Sequence, residues 1–201
     1  MNKVNFSVWD NEVAKNVKEI YRVTDQTKNI SKRLKSNGVA YDTFRALYRN
    51  ICEALDFWTG HTYVGRRKQP QIQKAFQAFF EALYDFLFTC QDSDNSTLQD
   101  LANKSLYRGV LYRYLGHSSI DDNIDSKVEP EYNNIYVSWS KNPQNHYIES
   151  KLYGTMTLLT CEVSEPHYGI DLNVFGVVRG EEVEVVFPTF ADAIRNTEYI
   201  N

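Results

Sequence analysis

Hydrophobic positions in the first half of the chain recur every three to four residues, the period of a helix with one buried face. Val13, Val17 and Ile20 begin the pattern. With Ser7 or Asp10 able to cap its start and Asn37-Gly38 able to end it, the spacing predicts a first helix over 7–36, with one break allowed. Asp42 can cap a second helix, in which Phe44, Leu47, Tyr48, Ile51, Leu55 and Trp58 form one stripe that stops at Thr59-Gly60. After a loop over 64–70, Ile72, Phe76, Phe79, Phe80, Leu83 and Leu87 predict a third, whose wide apolar face ends in the polar stretch 91–96. A short helix over 97–103, opened by Ser96, completes a helical first half.

Beyond Lys104 the period changes to two. Segments 106–112, 135–139, 155–163, 168–174 and 182–187 are rich in β-branched and aromatic residues and read as strands. A helix over 145–153 interrupts them, and 116–134 is a polar connection without apolar period. Helices followed by strands predict an α+β fold rather than a wound α/β sheet. The chain has 201 residues, 42% of them hydrophobic and 14% aromatic. That suffices for one domain over 1–201, with a helical lobe at 1–103 and a β-rich half at 104–201. Disordered, collagen-like and coiled-coil classes do not fit this composition. Apolar runs such as 83–90 are broken by Tyr84 and Asp85, far short of the roughly 18 residues a membrane span needs.

Charge divides at the same boundary: 14 basic and 12 acidic side chains in 1–103, 8 and 14 in 104–201. The basic clusters Lys28, Lys32, Arg33, Lys35 and Arg66, Arg67, Lys68 read first as solvated faces, with contact to a polyanion as the alternative. Cys52, Cys90 and Cys161 are odd in number and form no C-x-x-C pair, against both a disulfide framework and a zinc site. The N-terminus carries no apolar core of signal-peptide length, so a cytoplasmic location is expected. His61, His117, His146 and His167 are scattered without H-E-x-x-H spacing, so no metal is expected. Neither G-x-G-x-x-G nor G-x-x-x-x-G-K-[ST] occurs.

Three strand-borne features carry candidate chemistry: Arg108-Gly109, Ser138-Trp139-Ser140, and Glu182-Val183-Glu184-Val185-Val186-Phe187-Pro188. Singly each is ordinary, since a strand arginine, an S-x-S and alternating glutamates commonly belong to a solvent-facing side. Together, in this order behind a helical lobe, they resemble the arginine–serine–glutamate class of mono-ADP-ribosyltransferases. The layout extends over the whole chain, and the specific part covers about twenty residues. Glu184-Val185-Val186-Phe187-Pro188 matches the family's habit of following its second glutamate with apolar residues and a proline.

The resemblance implies a split β-sandwich core and NAD as co-substrate. Arg108 would clamp the diphosphate, for which a guanidinium fork suits better than a lysine point charge. Gly109 would let the nicotinamide approach the backbone, although a glycine there equally suits a β-bulge. Glu184 would stabilise positive charge developing on the ribose. Ser138 would fix its rotamer, with Ser140 supporting the same wall. Glu182, two residues earlier on a strand, would share that face and handle the acceptor, its identity pointing to a guanidino group. Tyr147 is the candidate to stack on nicotinamide, and Trp139 is expected on the opposite face as core.

Five residues before Glu184, where protein-modifying members often place an aromatic, stands Arg179; the nearest aromatic upstream is Phe175. Both are candidate acceptor contacts. An arginine with basic clusters also suits a nucleic-acid acceptor. The acceptor is thus expected to be a protein arginine, with RNA or DNA as the alternative and an inactive NAD- or protein-binding relative as a third reading. So short an enzyme looks like a toxin of a toxin–antitoxin or phage-defence locus, with a neutralising antitoxin as a further partner and no membrane.

Overall fold

The computed structural model describes residues 6–23, 43–59, 70–116, 136–144, 156–178, 183–188 and 194–200. Its chain divides into two compact units, Met1–Asn103 with Phe175–Val177, and Lys104–Val174 with Val178–Asn201. The fold is mixed α+β: helices build the first unit and an antiparallel sheet the second.

In the first unit, α1 (Phe6–Val23) packs on α2 (Thr43–Thr59) and α3 (Pro70–Gln91). The stripes predicted by periodicity are the buried faces: Val13, Val17 and Ile20 on α1, and Leu47, Ile51, Leu55 and Trp58 on α2. On α3, Phe76, Phe79, Phe80 and Phe86 are almost completely enclosed. Trp58 meets Phe76 and Phe80 edge-on, with centroids 5.0 and 4.8 Å apart, the geometry in which aromatic edges and faces attract. Buried Asn16 is tied in by donating its amide to the Ala78 carbonyl at 3.3 Å. α4 (Ser96–Ser105) starts one residue earlier than expected. Its cap is Asn95, whose Oδ1 accepts the amides of Thr97 at 3.0 Å and Leu98 at 3.3 Å.

The second unit contains β1 (Leu106–Tyr107), β2 (Gly109–Gly116), β3 (Tyr136–Ser140), β4 (Met156–Val163), β5 (Gly169–Asp171), β6 (Glu184–Pro188) and β7 (Ile194–Ile200). They hydrogen-bond in the order β1-β5-β6-β3-β2-β4-β7, each neighbour antiparallel. β2 and β4 pair from Gly109↔Val163 to Gly116↔Met156, whereas β2 and β3 share the single register pair Tyr112↔Ser140. Two ladders therefore meet at a narrow seam. Leu111, Trp139, Leu159, Cys161, Val163, Val185 and Phe187 fill one face as the core. Gly169 is required there, because a Cβ would stand 2.5 Å from Val185 Cγ1.

Several expectations need correction. The strand expected over 106–112 is broken at Arg108, and Gly109 follows with φ +138°, a backbone that favours glycine. The strand expected over 168–174 stops at Asp171, whose Oδ1 accepts the Asn173 amide at 3.0 Å and turns the chain into the 3₁₀ segment Leu172–Phe175. β7 was not expected. Residues 175–177 join the helical unit rather than the β half, since Cys52 Sγ donates to the Phe175 carbonyl at 3.8 Å and Thr59 Oγ1 to that of Val177 at 3.4 Å. The helix expected over 145–153 lies outside the described residues, as does most of the connection 116–134. Among the described residues no helix is long and apolar enough to cross a membrane.

Burial also decides cysteine chemistry. Cys90 and Cys161 are buried, and burial pushes the Cys90 thiol up to about 12. In the native protein at pH 8 both should resist a maleimide, and both should react in denaturant, as mass spectrometry of the labelled chain would read. Because the folded-state value is raised, the Cys90 contribution to stability is intact below the unfolded thiol value of about 8.5. It is lost as pH rises from there towards about 12.

Candidate active site

The strand order brings two of the sequence motifs side by side. β3 and β6 are hydrogen-bonded neighbours in the register Ser138↔Val186, Trp139↔Val185 and Ser140↔Glu184. Paired residues of an antiparallel ladder share a face, so Ser138, Ser140 and Glu184 lie on one side and Trp139 with Val185 on the other. Trp139 is accordingly in the core, donating its indole N–H to the Phe187 carbonyl at 3.1 Å. Ser138 stands diagonally across from Glu184, and its Oγ donates to Glu184 Oε1. Glu184 is 9% exposed as a residue, and its carboxyl is held by the neighbouring hydroxyl. Ser140 is also buried, its Oγ accepting the Asn142 amide at 3.0 Å, so it shapes the turn after β3. Through Tyr112↔Ser140, Tyr112 joins the same face.

Further hydrogen bonds hold this ladder at its centre and at its Ser140–Glu184 end. Arg113 Nη1 donates to the Ser138 carbonyl at 2.6 Å, and the Lys141 amide to the Val183 carbonyl at 3.0 Å. Lys141 Nζ forms a 2.6 Å ion pair with buried Asp171, which also accepts the Asn173 side-chain amide at 2.7 Å. Asn173 Nδ2 in turn lies 3.5 Å from the Glu184 carbonyl. The entry to β6 is thereby tied to the ends of β3 and β5. Lys141 also stands over the Tyr107 ring, 5.6 Å from its centroid. Burial, and then the Asp171 charge and Tyr112, push the Tyr107 hydroxyl above its ordinary range. It stays protonated and donates to the Val110 carbonyl at 3.0 Å.

Arg108 follows β1, which β5 separates from β6, and among the described residues its side chain meets Glu165 and Tyr168 rather than Ser138 or Glu184. Its Nη1 binds Glu165 Oε1 at 2.7 Å, and its guanidinium lies 3.9 Å from the Tyr168 ring centroid. A Cβ at Gly109, beside it, would meet the Tyr107 hydroxyl at 2.8 Å, and the residue carrying it would have to adopt φ +138°. Phe175 is buried, with its ring 5.9 Å from that of Tyr48 in the helical unit. Glu182, Tyr147 and Arg179 lie outside the described residues.

Arg113, Lys141, Asp171, Asn173, Glu165 and Tyr168 escaped the sequence reading. The D-x-N spacing at 171–173 is a local turn signal, but the partners of the others are distant along the chain. Among the described residues no group of three or more His, Cys, Asp or Glu is placed to hold a metal ion. No family model, curated protein or solved structure matches the chain.

Proposed function

We propose that the chain transfers ADP-ribose from NAD to a macromolecular acceptor, on a split β-core of the ADP-ribosyltransferase type. The observation that carries this reading is the hydrogen bond from Ser138 to buried Glu184 on one sheet face. The seam at Tyr112↔Ser140, where two ladders meet, supports the split core. The donor set suits NAD as a substrate: a guanidinium for the diphosphate at Arg108, a glycine backbone at Gly109, and a serine-held carboxylate for the ribose.

Glu184 is the catalytic residue. As the ribose C1′–N bond breaks, its electron pair leaves with the nicotinamide nitrogen, and positive charge develops on the sugar. A carboxylate held in a low-dielectric face interacts more strongly with that charge than with the ground state. The acceptor atom then bonds to C1′ and gives up its proton, with Glu182 as the base. Ser138 positions Glu184. A hydrogen bond to a charged group contributes about 1.5–3 kcal/mol, so Ser138→Ala should lower kcat roughly 10- to 100-fold with little change in NAD affinity. Ser138→Thr, which keeps the hydroxyl on a β-branched side chain, should restore most of it. Steady-state nicotinamide release reads both.

The acceptor favoured by Glu182 is a protein arginine. RNA or DNA is the second reading, which Arg179 at the position of the usual aromatic and the basic clusters would suit. Labelled NAD incubated with host-cell lysate, split between protease and nuclease, separates them. Label erased by protease supports the protein acceptor; label erased by nuclease supports nucleic acid; no label would leave an NAD- or protein-binding relative. As a toxin of a toxin–antitoxin or phage-defence locus, the wild type should also harm a host that tolerates Glu184→Gln.

A further inference from the structure

Arg108 already has an anionic partner. The turn between β4 and β5, closed by the His167 amide donating to the Ser164 carbonyl at 2.9 Å, presents Glu165 and Tyr168 to the same guanidinium. Glu165 meets one nitrogen, Nη1, through one oxygen, and its side chain is 79% exposed against 36% for Arg108. Such a carboxylate keeps most of its hydration, so letting go costs little. Tyr168 differs: the guanidinium carbon stands over its ring, 3.9 Å from the centroid, a contact that can hold the fork in place whichever anion is bound.

We propose that Glu165 is an internal competitor for the diphosphate of NAD, occupying Arg108 until substrate displaces it, and that Tyr168 is the platform on which Arg108 makes the exchange. This rests on Arg108 being the diphosphate clamp. A diphosphate carries two negative charges and several oxygens, and it can engage the fork bidentately where Glu165 uses one nitrogen. Exchange therefore favours the substrate. The Glu165 contact neutralises the arginine in the ligand-free chain and sets a threshold on NAD binding. Tyr168 is a positioning residue, acting through Arg108.

The test is NAD affinity, by titration calorimetry, for the full chain and for Arg108→Ala, Glu165→Gln, the double variant, Tyr168→Phe and Tyr168→Leu. An exposed ion pair of this kind corresponds to about a two- to fivefold effect, so Glu165→Gln should tighten binding by that factor. Arg108→Ala should weaken it, and Glu165→Gln should then change nothing further, as expected of two residues that act on each other. Tyr168→Phe keeps the ring and should bind as wild type, whereas Tyr168→Leu should weaken binding severalfold. Weaker binding by Arg108→Ala with no gain from Glu165→Gln would overturn the competitor and leave the clamp standing. Wild-type affinity in Arg108→Ala, or no NAD binding by the wild type, would overturn the clamp and the competitor together.

Discussion

Replacing Glu184 by glutamine is expected to lower kcat about 10²- to 10³-fold, the usual cost of removing one preorganised group that meets charge developing in a transition state. The fold should survive. Glutamine has nearly the same shape, and its Oε1 can still accept the Ser138 hydroxyl, so neither the β3–β6 register nor the packing of β6 is disturbed. What disappears is the negative charge, which the proposed mechanism uses only as the C1′–N bond breaks. NAD affinity should therefore stay within a few-fold of wild type, and kcat and kcat/KM should fall together. Rapid-quench or steady-state nicotinamide assays, with a melting curve for each protein, separate this from damage to the fold. A variant that melts with the wild type and keeps its turnover would remove Glu184 from the mechanism.

The largest stability effect is expected at Trp139. Its indole belongs to the core with Leu111, Val185 and Phe187, and its N–H satisfies the Phe187 carbonyl. Trp139→Ala leaves a cavity in a close-packed face, which for a large aromatic costs about 3–5 kcal/mol. It also removes the indole hydrogen bond to the Phe187 carbonyl, a further cost of roughly 0.5–1.5 kcal/mol. Loss of that order is a large fraction of a typical domain's stability, so the variant should unfold in low denaturant or fail to accumulate folded. Trp139→Phe keeps most of the ring packing and should lose only the hydrogen bond and some volume. Urea unfolding of both variants checks the order. Equal, small losses would mean that the face opposite Ser138 and Glu184 is not the core.

How far the sequence was legible depends on whether the deciding interaction is local. Helices α2 and α3 were readable because Leu47, Ile51, Leu55 and Trp58, and the phenylalanines of α3, repeat at the helical period and are buried for that reason. The shared face of Ser138 and Ser140 follows from strand alternation alone. Their adjacency to Glu184 does not: it requires β6 to lie next to β3, 46 residues away between Ser138 and Glu184, which only tertiary pairing decides. Arg108 was visible as a strand arginine, but Glu165, 57 residues on, was not visible as its partner. Nor does the sequence announce that 175–177 belong with the helical unit, where Cys52 and Thr59 donate to the carbonyls of Phe175 and Val177. β7 reads Ile194-Arg195-Asn196-Thr197-Glu198-Tyr199-Ile200, a polar run whose pairing with β4 its apolar spacing does not announce.

The site itself departs from a simple reading in a useful way. A buried glutamate needs a physical reason to exist, because withdrawing a carboxylate from water is costly. Part of the compensation is the Ser138 hydroxyl, and the surrounding anchors at Arg113, Lys141, Asp171 and Asn173 hold the strands that carry both residues. An arrangement of this kind keeps a charge in a fixed place, which is what stabilising a developing cation requires.

The most direct test of the central claim is the appearance of free nicotinamide from NAD, followed by chromatography, when the purified protein is added to host-cell lysate. Release should rise in proportion to the wild-type protein and stay at the blank with Glu184→Gln. Equal release by the two proteins, or none from a folded wild type, would contradict it.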